Sequence, residues 1–134
     1  MTKKILVYTY GVFDLVHYGH IRALKRAKAL GNELVIGVFS DKVATKFKRR
    51  PVMNQKERIQ ILKEIGLGRV VLLNSFMPSE RNLKGINIVT KAEGAGWSVN
   101  KIPKFKNAKS VLLHYTKGIS TSDIIKRIRQ HNIK

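Results

Sequence analysis

Cysteine is absent from this 134-residue chain, and acids are scarce: 8 Asp plus Glu stand against 27 Lys plus Arg. Without cysteine there is neither a disulfide frame nor a thiolate zinc site, which fits a reducing compartment such as the cytoplasm. Long apolar runs are missing as well. Nothing approaches the ~18 apolar residues of a membrane span, so no membrane insertion is expected. The opening MTKKILVYTYG has two lysines and then an apolar run too short for a signal peptide, with no small-residue cleavage site.

What the chain has instead is positive charge, +19 net with a pI near 10.6. Such a field attracts nucleotides, nucleic acid and anionic surfaces. The cations are spread over the first helix, "KFKRR", "KIPKFKNAK" and "KRIRQHNIK" rather than gathered in one tail. Few aromatics are interleaved with them, which disfavours a single-strand nucleic-acid groove without excluding RNA phosphate contacts.

The length suits one domain spanning 1–134, and a hydrophobic content of 43% is enough for a packed core. "KILVYTY" is a continuous apolar and β-branched run, the pattern of a strand buried on both faces. From Tyr18 onward Ile21, Leu24, Ala27 and Leu30 recur at helical spacing, and Gly31 with Asn32 reads as the stop. "ELVIGVFS" follows as a second strand, completing a βαβ unit. "DKVATKFKRRP" reads as a basic, mostly polar loop with room for a helical turn. "NQKERIQILKEIG" is a helix with Asn54 as N-cap, Glu57 as its capping-box partner and Ile59, Leu62 and Ile65 as the buried stripe. "RVVLL", "INIVT" and "SVLLHY" supply three more strands, "SERNLKG" a short helix and "EGAGWSVNKIPKFKN" a glycine-rich, basic loop. "STSDIIKRIRQHN" is the last helix, capped by Ser120 with Asp123. The expected fold is α/β, one doubly wound, mostly parallel five-stranded sheet.

Ligands in such sheets bind beyond the carboxyl ends of the strands. Two strand-to-helix segments stand out there, Thr9–His20 and Tyr115–Ser122. Each places backbone N–H groups at a helix start, and Gly11, Gly19 and Gly118 allow close approach to the backbone. His17 and His20 lie three apart on one face of the first helix's start. From the residues alone three roles are open: helix caps or core side chains, metal ligands with Asp14 as the one nearby acid, or donors to phosphate oxygens. Trp97 is open between stacking on a base and anchoring a loop.

"GVFDLVHYGH" together with "GISTS" resembles the cytidylyltransferase-type nucleotidyltransferases. That family carries G-x-F-D-x-x-H-x-G-H after its first strand and an R-T-x-G-I-S-T-T-like segment before a late helix. "PVMNQKERIQIL" is similar to its arginine-bearing helix, and size and motif wording are most like the small glycerol-3-phosphate cytidylyltransferases. The resemblance implies a Rossmann-like nucleotidyltransferase fold and transfer of a cytidylyl group from CTP to a small phosphorylated alcohol, with Mg²⁺ accompanying the triphosphate and a homodimer as the assembly. It implies that Thr9, Tyr10, Gly11, Val12, Phe13 and Gly19 line the nucleotide and that Asp14 buttresses the turn. His17 and His20 would stabilise the transition state. Lys46 or Lys48 would steer the acceptor phosphate, Lys46 counting with the histidines as catalytic, and Arg58, the matching helix arginine, would contact the substrate. Trp97 would lie near the base, and Tyr115, Thr116, Lys117, Gly118, Ile119, Ser120 and Thr121 around the β- and γ-phosphates.

Three fixtures depart from the family pattern. Tyr115 stands where the second motif opens with arginine, and a phenol has no guanidinium fork. The G-D-D-W-like segment appears as "GAGW", ending at Trp97, without its acids. A "V-D-E-V"-like stretch appears as "GLGRVVLL", with Arg69 near the acid's place. Lys117 and Arg22 are the candidate substitutes for the missing arginine. The alternatives are ATP-dependent adenylyl transfer within the same family, or a nucleotide- or RNA-binding module with impaired turnover.

Overall fold

The computed structural model describes residues 4–76, 84–92, 107–113 and 116–131. Strand β1 (Leu6–Gly11) is followed by helix α1 (Tyr18–Lys28), strand β2 (Glu33–Phe39), helices α2 (Asp41–Phe47) and α3 (Gln55–Ile65), and strand β3 (Arg69–Leu73). Strands β4 (Ile88–Ala92) and β5 (Lys109–Leu113) and helix α4 (Thr121–Gln130) complete the described elements. The five strands form one sheet in the order β3-β2-β1-β4-β5, every pairing parallel. The winding starts at β1, runs outward through β2 to β3, then crosses to β4 and β5 on the other side. Its reversal therefore lies between the carboxyl ends of β1 and β4, where open parallel sheets bind their ligands.

The strands are apolar on both faces because both faces are covered. On one face Val7, Leu34, Ile36 and Val38 pack with Leu24 and Ala27 of α1 and Leu62 of α3. On the other, Tyr8, Tyr10, Val35, Phe39, Leu73 and Val89 pack with Val43 and Ala44 of α2.

Helices α3 and α4 start at the caps read from sequence. The Asn54 side chain accepts from Glu57 N at 2.9 Å while Glu57 Oε1 accepts from Asn54 N at 3.1 Å. Ser120 Oγ accepts from Asp123 N at 3.0 Å. Two expectations are corrected. The stretch expected to be a loop after β2 is a seven-residue helix, α2. Ser40 caps it by accepting from Val43 N, Asp41 lies in its first turn, and the burial of Val43 and Ala44 holds it to the sheet. Strand β4 begins two residues later than "INIVT" suggests, because Asn87 serves as a bracket, its Oδ1 accepting from Leu6 N and its own N–H donating to Leu6 O. The expected "SERNLKG" helix and the "EGAGWSVNKIPKFKN" loop fall outside the described residues, apart from Lys84, Gly85 and Asn107.

Candidate active site

Beyond β1 the chain turns sharply. Phe13 and Leu15 both have positive φ, 55° and 50°. Such backbone is strained by about 1 kcal/mol or more per residue and needs support from the surroundings. Asp14 supplies it: the carboxylate, 4% exposed, accepts from Val52 N at 2.8 Å and Met53 N at 2.9 Å. Its carbonyl oxygen accepts from Thr121 Oγ1 at 2.8 Å, tying the start of α4 to the same turn. Asp14 thus buttresses the turn, and both carboxylate oxygens are used for that.

Arg58 gives the second support, and here the expectation of a substrate contact is corrected. Its side chain is fully buried. Nε donates to Met53 O, Nη1 to Val12 O and Phe39 O, and Nη2 to Asp41 Oδ1 at 2.7 Å. It gathers the end of β2, the turn after β1 and the entry to α3, with no side-chain surface left exposed. Thr9 and Tyr10 are corrected for the same reason. Both are buried within β1, so their side chains belong to the scaffold rather than to a nucleotide surface.

The histidines close the turn onto α1. His17 is the N-cap: its Nδ1 accepts from Gly19 N at 3.1 Å. His20, at the third helical position, returns the bond, its Nδ1 accepting from His17 N at 3.2 Å. The two rings lie 4.0 Å apart, and Phe13 flanks His20 at 5.7 Å. A capping box is usually built from a hydroxyl and a carboxylate; here two imidazoles form it. A neutral ring that accepts at Nδ1 carries its proton at Nε2. The cap therefore fixes the tautomer and leaves each ring an Nε2–H donor. Burial lowers the pKa of His17, and that of His20 falls to about 3, through burial first and then the charges of His17, Lys91 and Lys48. Both rings are neutral donors at pH 7. Gly19 is required beside them, since a Cβ there would lie 2.8 Å from His17 Cε1.

The second motif arrives at the same place. Ile119 Cγ2 would lie 3.2 Å from a Cβ at Gly19, so the two motif segments touch. Gly118 has φ +89° with open space around it, and Lys117 and Ser120 are exposed. The Oγ1 of Thr116 is buried without a hydrogen-bond partner. Ser120 serves as the cap of α4 and Thr121 as its tie to Asp14. Tyr115 and Trp97 lie outside the described residues.

Of the two candidate lysines, Lys48 is the one whose charge bears on His20. Lys46 lines an open pocket of about 550 Å³ with Asp41, Lys42, Thr45, Arg50, Pro51, Val52 and Asn54. Arg22 lies over the Tyr18 ring at 4.9 Å. Arg49 is the guanidinium that reaches α4: its Nη1 donates to Ser122 Oγ at 3.3 Å, and its Nε is buried without a hydrogen-bond partner.

Sequence reasoning missed two of these residues. Arg49 is hidden within "KFKRR", one cation among several. Lys91 has a visible signal, a lysine interrupting an apolar strand at its carboxyl end, beside β1. No cluster of three or more His, Cys, Asp or Glu side chains able to hold a metal occurs among the described residues.

Taken together, the turn offers two fixed imidazole donors, the N-termini of α1 and α4, and cations from the segment after α2, a set suited to phosphate oxygens. The cytidylyltransferase-like family model matches residues 8–88. The bifunctional protein HldE of Campylobacter concisus is 34% identical over 95% of this chain and 28% of its own length. The ethanolamine-phosphate cytidylyltransferase of Dictyostelium discoideum is 33% identical over 94% of this chain and 37% of its own. The chain thus spans about a third of the length of these curated relatives. The crystal structure of the lipopolysaccharide core biosynthesis protein from Thermoplasma volcanium GSS1 superposes with a TM-score of 0.74 at 27% identity, covering 86% of this chain and all of that one. A parallel sheet wound 3-2-1-4-5, the histidine-capped turn at its reversal and these likenesses have one reading: the chain belongs to the cytidylyltransferase-like family.

Proposed function

We propose that the protein is a nucleotidyltransferase that uses CTP and a small phosphorylated alcohol such as glycerol 3-phosphate. An oxygen of the acceptor phosphate attacks the α-phosphorus of the nucleotide. The bond from that phosphorus to the oxygen bridging to the β-phosphate breaks, and pyrophosphate leaves with the bonding electrons. No covalent enzyme intermediate is needed. The observation that carries this reading is the imidazole capping box. It holds two Nε2–H donors at the start of a helix whose first turn has no acid, and negative charge building on the phosphoryl oxygens is stabilised by such fixed donors. Because the rings are neutral and pre-set by their Nδ1 bonds, little reorganisation is required as the charge develops. CTP and a phosphorylated alcohol draw support from the name of the Dictyostelium relative.

Mg²⁺ belongs to this reading as the companion of the triphosphate, where it neutralises charge. The Asp14 carboxylate accepts from two backbone amides, and on this reading the ion's ligands would be oxygens of the nucleotide. We infer a homodimer acting in the cytoplasm.

The test is pyrophosphate release with Mg²⁺, offering CTP and ATP separately, each with glycerol 3-phosphate and other phospho-alcohols. Release with CTP and one acceptor is expected, lost in His17→Asn. Release with ATP alone would reassign the base, and none from any pair would overturn the reading.

A further inference from the structure

Lys91 lies at the carboxyl end of β4, next to β1, where the winding of the sheet reverses. Its Nζ donates to Tyr10 O at 2.6 Å and lies 4.8 Å from the centre of the Tyr10 ring. It is close to the backbone as well, since a Cβ at Gly11 would stand 3.3 Å from Nζ. Tyr10 packs on the face of the sheet that α2 covers, and Lys48 is the residue that ends α2. The histidines cap α1, on the opposite face. Cations therefore approach His20 from the side of the sheet away from the α1 helix.

The reaction proposed above needs such an arrangement. A phosphate monoester must come within bonding distance of a triphosphate, and two anions repel unless cations stand on both sides of the contact. The α1 and α4 starts serve one anion. We propose that Lys91, with Lys48, forms the seat of the other: it binds the phosphate of the acceptor and holds it against the α-phosphorus beside His20. This deepens the nucleotidyltransferase reading and rests on it. Burial and the charge of Lys48 push the Lys91 ammonium down to about 8, and Lys48 is lowered by burial and by Arg49. Cations held against one another are relieved when an anion arrives. The seat selects acceptors by their phosphate and leaves the alcohol to other residues.

The experiment uses Lys91→Met and Lys91→Arg in the full chain, with three readouts: KM and kcat for glycerol 3-phosphate, equilibrium binding of CTP, and Tm. Lys91→Met should raise the acceptor KM at least tenfold and leave CTP affinity within about threefold, while Tm falls by no more than the loss of its contacts with Tyr10 explains. Lys91→Arg should recover part of the acceptor affinity. A fall in Tm with the acceptor KM unchanged would overturn the proposal in favour of a structural lysine, and a loss confined to CTP binding would move Lys91 to the nucleotide. If the wild-type protein turns over no pair, the function proposed above fails by itself, and the seat is read instead by inorganic phosphate binding to the CTP-loaded protein. Loss of that binding in Lys91→Met supports the seat; unchanged binding overturns it.

Discussion

Helices α1 and α3 both begin with a reciprocal capping box, yet the two boxes leave different things behind. At α3, Asn54 and Glu57 satisfy each other's backbone N–H groups, and Glu57 brings a carboxylate to the positive end of the helix. At α1, His17 and His20 satisfy the same backbone groups with ring nitrogens and bring no negative charge. Asp41 and Asp123 occupy the first turns of α2 and α4, so α1 alone among the described helices has no acid there. The α3 box is finished when the helix is capped. The α1 box caps the helix, keeps its N-terminal field uncompensated and presents two further donors. Capping and phosphate binding, rivals when only the sequence is considered, are one arrangement here: Nδ1 serves the fold and Nε2 is left for the ligand.

The two boxes are joined by Arg58, which reaches from α3 to the turn before α1, and its removal should have the largest effect. Arg58→Met leaves Asp41 and three backbone carbonyls without their buried donor. A loss of about 3–5 kcal/mol is expected, read as a lowered denaturation midpoint with an unchanged slope. A second variant, Arg58→Lys, should restore only part, since an ammonium cannot serve acceptors spread around a planar fork.

Next in size is the separation of the two ring nitrogens. An asparagine amide reaches as far as Nδ1 but not Nε2. His17→Asn should keep the cap, with Tm close to wild type, and lower pyrophosphate release about 100-fold or more. A glutamine amide reaches the Nε2 position instead. His17→Gln should lose about 1 kcal/mol of stability while keeping more turnover than His17→Asn. If the two variants fall together in both measurements, the division of labour between the nitrogens is wrong.

The α3 box is legible in the sequence because it is wholly local: Asn54, Glu57 and an apolar stripe lie within one helix. The alternation of strands and helices is legible for a similar reason, since buried parallel strands are continuous apolar runs. Helix α2 is not, because it is only seven residues long and the burial of Val43 and Ala44 is masked by lysines on either side. Arg58 looks like a ligand residue in the sequence although it stands four before the buried Leu62, on the same stripe; its charge obscures its helical position. The pair spacing of His17 and His20 is visible, but which nitrogen does what depends on backbone angles at the cap. Lys91 and Arg49 take their meaning from contacts across β1 and at α4, which no local pattern records.

Acid separates the boxes again. The folded protein holds His20 neutral down to about pH 3, whereas an unfolded chain protonates it near 6.5. Between those values the unfolded state binds the extra proton, so stability falls as pH falls through 6.5 and continues to fall toward 3. An effect of about 3 kcal/mol is expected by about pH 4. His20→Asn retains an acceptor for His17 N but has no group to titrate, and its stability curve should be flatter in that window. Parallel curves for the two proteins would remove His20 from the acid response.

The smallest expected effect is at α3. Asn54→Ala removes an N-cap acceptor and leaves Glu57 N unpaired, a loss of about 1 kcal/mol. Its neighbour Met53 still donates to Asp14, and Arg58 still holds Val12, so the turn before α1 keeps its supports. Pyrophosphate release per folded molecule should stay within about twofold of wild type while Tm falls by a few degrees. That pattern is the inverse of His17→Asn, where turnover falls and Tm holds. Two caps of equal standing in the fold would then differ in what they serve: the α3 cap stabilises a helix, and the α1 cap, built from imidazoles, stabilises a helix and a ligand through opposite edges of the same rings.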